Sequence, residues 1–182
     1  MNRFVFFTDL DGTLLDHNTY SYVPALPALE RLRETNTPLI MVSSKTRLEI
    51  EAIRKELDNQ DPFIPENGAA IFIPADYDLP IFDHAIEIDE YRVVLLGRHA
   101  SEISCAFEIL ASRLPVRALS RMSAIEVADL TGLKVAQAES AKNREFGEAF
   151  ILDDPEIEES ELLEEVRNLG LRIMPVGDFK DI

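Results

Sequence analysis

Two aspartates stand close together near the start of the chain, directly after an apolar run. Residues 4–8 read Phe-Val-Phe-Phe-Thr, and Asp9 and Asp11 follow them. Such a run is typical of a buried parallel strand, and ligands bind outside the carboxyl ends of parallel strands. Gly12 lets the chain turn sharply there without a steric penalty. We therefore expect both carboxylates to lie in a ligand-binding crevice, with an ordinary Asp-Gly turn as the alternative.

A cluster of hydroxyl groups and a lysine follows the second predicted strand. Residues 39–42 are Leu-Ile-Met-Val, and Ser43, Ser44, Lys45 and Thr46 come next. Hydroxyl groups, a lysine and a helix N-terminus can together bind a phosphate group. In the alternative interpretation, Ser44 or Thr46 only caps the helix and Lys45 is solvated. The spacing from the first motif favours the phosphate site.

Composition and charge limit what the chain can bind. Its 182 residues are 46% hydrophobic and 29% charged, which is typical of a globular protein. The formal net charge is −16, whereas nucleic acid and anionic membrane surfaces require a basic face. We therefore expect neither as a partner, and an anionic substrate needs locally placed cations or a metal.

The chain is expected to have neither a membrane span nor a signal peptide. No apolar run reaches the roughly 18 residues that a span requires, and the apolar start continues into Asp9 without a small-residue cleavage site. Cys105 is the only cysteine, which excludes an intramolecular disulfide and favours a reducing compartment. We therefore predict a cytoplasmic protein in which Cys105 is a small core residue of a helix.

Strands and helices alternate over the first 75 residues, and the pattern then changes. Alternation of this kind indicates a doubly wound α/β sheet, and the later strands, with helices on one side, indicate an α+β layer. We therefore expect two modules, at 1–85 and 86–182. The predicted strands lie at 4–8, 38–42, 63–64, 69–73, 86–96, 116–119, 146–152 and 171–174, and the predicted helices at 24–34, 46–57, 101–113, 123–129, 134–142 and 156–168.

Residues 7–15, Phe-Thr-Asp-Leu-Asp-Gly-Thr-Leu-Leu, resemble the first signature of the haloacid dehalogenase (HAD) phosphohydrolases. The resemblance implies that Asp9 attacks phosphorus to form an aspartyl-phosphate and that Asp11 acts first as general acid and then as base. It implies Mg²⁺ bound by the Asp9 side chain and the Asp11 carbonyl, because a hard cation prefers oxygen ligands. Gly12 and Thr13 are then expected to contact the phosphate.

Later motifs resemble the mannosyl-3-phosphoglycerate phosphatases of that superfamily. This resemblance implies a HAD-like, Rossmann-type parallel sheet with an α+β cap of subfamily IIB inserted after the third core strand. Residues 1–85 would then be the N-terminal part of the core and 86–182 the cap, with Asn67 at the substrate site. The motifs are Ser-Ser-Lys-Thr at 43–46 with Glu49, Pro-Glu-Asn-Gly-Ala at 65–69, Thr-Gly-Leu at 131–133, and residues 143–150.

A sugar-linked phosphoglycerate carries a phosphate and a carboxylate, so an acidic chain must supply cations for both. Lys45 is the candidate in the core and Arg144 in the cap, although an ion pair of Arg144 with Glu145 or Glu148 is the alternative. The resemblance implies a Mg²⁺-dependent phosphatase that converts mannosyl-3-phosphoglycerate to mannosylglycerate, and the need for cations agrees with that substrate. A broad-specificity sugar-phosphate phosphatase is a second hypothesis.

The end of the chain departs from the family pattern. Relatives return to the core for two strands that bring a lysine and an acidic motif, and residues 177–181 are expected to be the last loop of the cap instead. The C-terminal core strands are thus expected to be missing. A third hypothesis is therefore a truncated, inactive module that binds phosphosugars or assembles with a partner. Residues 4–8 would then be an apolar edge strand, and the chain alone would self-associate and hydrolyse little.

Overall fold

The computed structural model describes residues 4–80, 82–176 and 179–181. The chain divides into two units, at residues 1–97 and 98–182. Each unit has its own sheet. Among the described residues, no helix combines the length and the apolar character needed to cross a membrane.

The first unit begins with parallel strands joined by helices, which confirms the predicted α/β class. Helix α1 connects β1 to β2 and helix α2 connects β2 to β3, and these three strands are parallel. Short 3₁₀ turns lie at Val23–Ala25 and Glu66–Gly68. The elements are β1 (Phe6–Thr8), α1 (Leu26–Glu34), β2 (Leu39–Val42), α2 (Arg47–Glu56), β3 (Phe63–Ile64), β4 (Ala70–Pro74), β5 (Ala85–Ile88) and β6 (Tyr91–Leu95).

The first sheet is mixed, with strand order β1-β2-β3-β4-β6-β5. Strands β4, β5 and β6 pair in antiparallel fashion, so the predicted parallel sheet is limited to β1, β2 and β3. A doubly wound sheet requires the strand order to reverse, and no such reversal is present among the described strands. Since β6 pairs with β4 from Ala70↔Leu95 to Pro74↔Tyr91, the predicted boundary at 85/86 falls inside this unit.

Strand β1 forms one edge of the sheet and pairs only with β2 among the described strands. The side chains of Phe4, Val5, Phe6 and Phe7 are 76, 52, 56 and 60% exposed. The prediction that residues 4–8 are buried is therefore wrong, whereas the predicted apolar edge strand is observed. An exposed run of this kind leaves backbone N–H and C=O groups available for pairing with another chain.

An aromatic cluster holds α2 against the sheet. The rings of Phe63 and Phe72 stack with centroids 5.2 Å apart, and Tyr91 meets both edge-on. The buried guanidinium of Arg54, in the last turn of α2, lies over the Phe63 ring at 4.5 Å and donates a 2.7 Å hydrogen bond to the Asp61 carbonyl. These contacts fix the C-terminal end of α2 against the sheet. The N-terminus of α2 lies near the carboxyl end of β2 because only a short segment connects the two elements.

The second unit is built on an antiparallel sheet of four strands, in the order β7-β8-β10-β9. A 3₁₀ turn lies at Leu119–Arg121. Gly132 ends helix α4 with a left-handed backbone, φ +73°, which glycine adopts readily. The elements are α3 (Ala100–Ala111), β7 (Val116–Ala118), α4 (Ala124–Thr131), α5 (Val135–Lys142), β8 (Ala149–Leu152), α6 (Glu159–Asn168), β9 (Met174–Val176) and β10 (Phe179–Asp181).

Helices pack on both faces of the second sheet, whereas the sequence pattern predicted one face. Phe150 of β8 lies in a buried cluster with Phe107 of α3 and Leu162 of α6. The next residue back, Ala149, lies in a second cluster with Val127 of α4 and Ala138 of α5. Because consecutive strand residues point to opposite faces, the two clusters flank the sheet.

Two further predictions fail in this unit. Cys105 is exposed and not a core residue, because the buried positions of α3 are Ile103, Phe107 and Leu110. The tail was expected to be a loop, yet residues 179–181 form β10 between β8 and β9. Gly177 and Asp178, which belong to the same prediction, lie outside the described residues.

Candidate active site

The loop after β1 presents both aspartates at the carboxyl end of that strand. Leu10, which is fully buried, anchors the loop: its carbonyl accepts hydrogen bonds from the N–H groups of Thr13 at 3.2 Å and Leu15 at 2.8 Å. Its own N–H donates to Oδ1 of Asp9 at 2.7 Å. Asp9 and Asp11, on either side of this buried residue, are exposed. The loop therefore presents two exposed aspartates after β1, and their place in a ligand-binding crevice stays a prediction.

Gly12 gives this loop its turn. Its φ is +72°, and a Cβ at this position would come no closer than 3.9 Å to its nearest neighbour, Nδ1 of His17. The space is sufficient, but residues with a side chain rarely adopt this left-handed backbone conformation. The structure thus accounts for Gly12 as a turn residue, and phosphate contact by Gly12 or Thr13 stays a prediction.

The ends of β2 and β3 are tied together by backbone hydrogen bonds. The carbonyl of Ser43 accepts from Asn67 N–H at 3.1 Å, and the carbonyl of Lys45 accepts from Glu66 N–H at 2.9 Å. In the segment that follows β2, Lys45 N–H donates to Oγ of Ser43 at 3.2 Å. Ser43, Lys45 and Asn67, predicted separately from the sequence, are therefore brought together at one edge of the sheet.

Backbone strain accompanies this contact. Glu66 and Asn67 have φ values of +48° and +59°, and Gly68 follows at +90°. A non-glycine residue in this region costs on the order of 1–3 kcal/mol, and such strain clusters at ligand-binding and catalytic loops. The side chain of Glu66 is also buried, at 4% exposed, whereas the side chain of Asn67 is exposed.

Lys45 reaches back from β2 to the first motif. Its Nζ lies 3.0 Å from Oδ2 of Asp11 and 3.8 Å from Oε1 of Glu49, and its side chain is 14% exposed. The ring centroid of Tyr20 lies 5.6 Å from the same ammonium group. The alternative of a solvated lysine is therefore wrong. Burial lowers the pKa of Lys45, but the carboxylates of Glu49 and Asp11 outweigh it and raise that pKa above its usual value.

Thr46, and not Ser44, is the N-cap of α2. Its Oγ1 accepts a hydrogen bond from Glu49 N–H at 3.4 Å, and Glu49 Oε2 accepts from Thr46 N–H at 2.9 Å. This reciprocal pair is a capping box. The capping interpretation is confirmed for Thr46 and wrong for Ser44, which is half-buried. Phosphate binding by Ser44 stays a prediction.

Two residues beside Lys45 were not predicted as parts of the site. Glu49 carries a signal in the sequence, because Thr-x-x-Glu before an apolar run predicts a capping box. Tyr20 carries none, since its place depends on a left-handed turn, φ +54°, in which its N–H donates to the Asp16 carbonyl at 2.9 Å.

The two aspartates have the chemistry of a magnesium site. Carboxylate and carbonyl oxygens are the ligands that Mg²⁺ prefers, and proteins often bind it through one or two carboxylates while water and substrate phosphate complete its coordination. Among the described residues, no group of three His, Cys, Asp or Glu side chains could hold a metal. Asp9 and Asp11 therefore fit Mg²⁺ in the mode in which water and substrate complete its coordination.

Arg144 lies in the second unit, in the segment between α5 and β8, and is half-buried. In the same segment Glu148, which is 9% exposed, accepts hydrogen bonds from Ser120 Oγ at 2.6 Å and from Ser120 N–H at 3.3 Å. The structure places the other predicted site residues in the first unit. The role of Arg144 toward a substrate stays a prediction.

Comparison with known proteins identifies the family. The model of the haloacid dehalogenase-like hydrolases matches residues 6–112, which include both aspartates and Lys45. The chain belongs to this family. It resembles BT1666 from Bacteroides thetaiotaomicron, a phosphatase of the HAD superfamily, with a TM-score of 0.62 and 17% identity over 98% of this chain and 65% of that one.

Two curated relatives of this HAD-like protein bear the same name, glucosyl-3-phosphoglycerate/mannosyl-3-phosphoglycerate phosphatase. The protein from Persephonella marina is 40% identical over 96% of this chain. The protein from Methanococcoides burtonii is 38% identical over 97% of this chain. The chain spans 64 and 66% of the length of these relatives.

Proposed function

We propose that this HAD-like protein hydrolyses a phosphomonoester with Mg²⁺ bound and through an aspartyl-phosphate. The observation that carries the proposal is the placement of the Lys45 ammonium 3.0 Å from Asp11, in the loop that presents Asp9. The proposal thus assigns one nucleophile, one acid–base group and one cation to the carboxyl ends of β1 and β2. The proposed substrate is a sugar-linked phosphoglycerate, and the names of the relatives support this class.

Asp9 supplies the nucleophile in the first step. Leu10 N–H donates a 2.7 Å hydrogen bond to Oδ1 of Asp9, which leaves Oδ2 available to attack phosphorus. The bond between phosphorus and the ester oxygen breaks, and Asp11 donates a proton to the departing alcohol. The step yields a free alcohol and an aspartyl-phosphate on Asp9.

Water completes the reaction in the second step. Asp11, now a carboxylate, takes a proton from a water molecule that attacks the phosphorus of the aspartyl-phosphate. The bond to Asp9 breaks, so inorganic phosphate leaves and both aspartates return to their starting states. One ester and one water give one alcohol and one phosphate, and the difficult displacement is divided into two easier ones.

Cations must compensate the charge that accumulates in this acidic chain. Lys45 is held by Asp11 and Glu49 in the structure, and we infer that it exchanges Asp11 for a phosphoryl oxygen when substrate binds. Bound Mg²⁺ would neutralise charge on Asp9 and on the phosphoryl group. Hydrogen bonds to the phosphate are assigned to Thr13, Ser43, Ser44 and Asn67.

The part of the substrate beyond the phosphate needs its own recognition. A glycerate carboxylate is bound best by a guanidinium, which offers paired N–H donors. We propose Arg144 of the second unit for this role, on the resemblance of residues 143–150 to the mannosyl-3-phosphoglycerate phosphatases.

A phosphate-release panel tests the proposed function. The panel contains mannosyl-3-phosphoglycerate, glucosyl-3-phosphoglycerate and p-nitrophenyl phosphate, each with Mg²⁺ and with excess chelator. We expect Mg²⁺-dependent release with the highest kcat/KM on a glycosyl-phosphoglycerate and none from Asp9→Asn. Equal release from Asp9→Asn would contradict the mechanism, and a preference for the aryl ester would favour the broad-specificity hypothesis.

A further inference from the structure

The two carboxylate oxygens of Glu49 have different partners. Oε2 accepts hydrogen bonds from Thr46 N–H at 2.9 Å and from Thr46 Oγ1 at 3.0 Å, and so completes the cap of α2. Oε1 faces Lys45 and lies 3.8 Å from its Nζ. The Glu49 side chain is 13% exposed, so this second contact is made in a partly desolvated place, where charges interact more strongly than in water.

Capping alone does not require the negative charge of Glu49. A capping box needs an acceptor oxygen at the third helical position, and glutamine provides one as well as glutamate. The chain itself uses glutamine in α5, where Gln137 Oε1 accepts from Lys134 N–H at 3.2 Å. The charge at position 49 is therefore available for a second role.

We infer that Glu49 is a positioning residue for the proposed phosphatase reaction, which holds the Lys45 ammonium in place as this lysine exchanges Asp11 for the phosphoryl group. The inference rests on the proposed function. A lysine side chain is flexible and loses rotamer freedom when it is fixed. A carboxylate on a capped helix N-terminus restricts the lysine before substrate binds, so less freedom is lost on binding. This effect is preorganisation.

The contact between Glu49 and Lys45 can be measured without turnover. The chain has five lysines, so the ammonium signals in ¹H–¹⁵N NMR are few, and Lys45→Met identifies the Lys45 signal. We expect a protected Lys45 signal that Glu49→Gln weakens or shifts, while the melting temperature stays close to that of wild type because the cap is kept. A Lys45 signal that does not respond to Glu49→Gln overturns the inference.

Helix α4 offers a matched control. There Glu126 Oε2 accepts from Ser123 N–H at 2.8 Å and from Ser123 Oγ at 2.7 Å, the same capping geometry in the other unit. Glu126→Gln makes the same chemical change in a capping box that is not part of the proposed site. We expect it to leave both the Lys45 signal and the hydrolysis rate unchanged.

A double-mutant cycle tests whether Glu49 acts through Lys45. With p-nitrophenyl phosphate and Mg²⁺, we expect Glu49→Gln to lower kcat/KM roughly tenfold in the wild-type background and to have almost no effect in the Lys45→Met background. Equal losses in both backgrounds indicate a structural role, and a gain in activity indicates a repulsive one; either result overturns the inference. If the wild-type chain hydrolyses nothing, the proposed function fails, and the NMR measurement alone decides the role of Glu49.

Discussion

The ammonium group of Lys45 lies 3.0 Å from Oδ2 of Asp11. The two residues follow different strands, β2 and β1, which pair in parallel from Phe6↔Leu39 onward. The ion pair therefore joins the two sequence motifs at one edge of the sheet. It also places a cation beside Asp11, one of the two aspartates that we propose act on the phosphoryl group.

Replacing Lys45 tests this arrangement directly. Lys45→Met keeps much of the side-chain volume and removes the charge, so we expect kcat/KM for a phosphomonoester to fall by about 10²–10³, the usual loss when one group that stabilises a transition-state anion is removed. Lys55→Met is the control, because Lys55 lies on the same helix and is exposed. Phosphate release by the two variants at equal Mg²⁺ gives the comparison, and similar rates would contradict the role of Lys45.

Asp11→Asn should separate the two proposed steps. Each proton transfer is worth about 10²–10⁴ in rate, but p-nitrophenolate leaves readily without a proton. We therefore expect a rapid burst of nitrophenolate from this variant. Slow turnover should follow, because hydrolysis of the aspartyl-phosphate lacks its general base. Asp58→Asn is the control, since Asp58 has φ +49°, a conformation that asparagine also tolerates. Wild-type turnover by Asp11→Asn would exclude Asp11 as the acid–base group.

Part of the site could be predicted because its signals are local. An apolar run before Asp9 and Asp11, and the Thr46-to-Glu49 capping box before α2, depend on neighbouring residues alone. The contact between Lys45 and Asp11 is different, because it depends on how β1 and β2 pair. The spacing of two motifs suggests such a contact but does not determine which side chains meet.

Errors in the predicted fold also arise where strand pairing decides the outcome. The run at residues 4–8 has the composition of a buried strand, yet its burial depends on which elements flank it, and among the described strands β1 lies at the edge of the sheet. The predicted strand at 86–96 is instead the hairpin of β5 and β6. Because β6 pairs with β4, this hairpin belongs to the first unit. Alternating hydrophobicity identifies a strand but not its partner.

Arg144→Ala tests recognition beyond the phosphate. If Arg144 binds the glycerate carboxylate, KM for mannosyl-3-phosphoglycerate should rise roughly tenfold or more, while KM for p-nitrophenyl phosphate changes little. This difference arises because the aryl ester has no carboxylate to lose. Arg172→Ala, an exposed residue of the same unit, is the control. Parallel losses on both substrates would indicate a structural role for Arg144.

Tyr77 and Asp61 provide a prediction about stability and pH. The hydroxyl of Tyr77 donates a 3.0 Å hydrogen bond to Asp61 Oδ1, while Oδ2 accepts from Leu39 N–H at 2.8 Å, where β2 begins. Burial, with Asp61 nearby, raises the pKa of Tyr77 to about 12. Because this pKa lies above the unfolded value of about 10, the contribution to stability is complete below about pH 10 and is lost as the pH rises toward the folded value.

We therefore expect Tyr77→Phe to lower the free energy of unfolding by about 1 kcal/mol near neutral pH. The difference from wild type should shrink between about pH 10 and about pH 12, as wild type loses the protonated hydroxyl. Urea unfolding at several pH values gives the measurement, with Tyr22→Phe as control. A difference that stays constant over this range would contradict the assignment.

The edge strand β1 provides the last prediction, which concerns self-association. Phe6 is 56% exposed, and its neighbours Phe4, Val5 and Phe7 are at least half exposed as well. A charged residue, lysine in particular, is the usual protection of an edge strand against pairing with another chain. We therefore expect the wild-type chain to form larger species as its concentration rises, and Phe6→Lys to remain smaller at the same concentration. Light scattering over a concentration series measures both.

A control for the edge strand is needed because any added charge improves solubility. Ile125→Lys introduces the same charge at a 63% exposed apolar position on α4, away from β1 in the sequence and in the other unit. If association occurs through β1, Phe6→Lys reduces the average mass and Ile125→Lys does not. Equal effects of the two variants would show that net charge, and not the edge strand, governs association, and a monomeric wild-type chain at all concentrations would exclude association through β1.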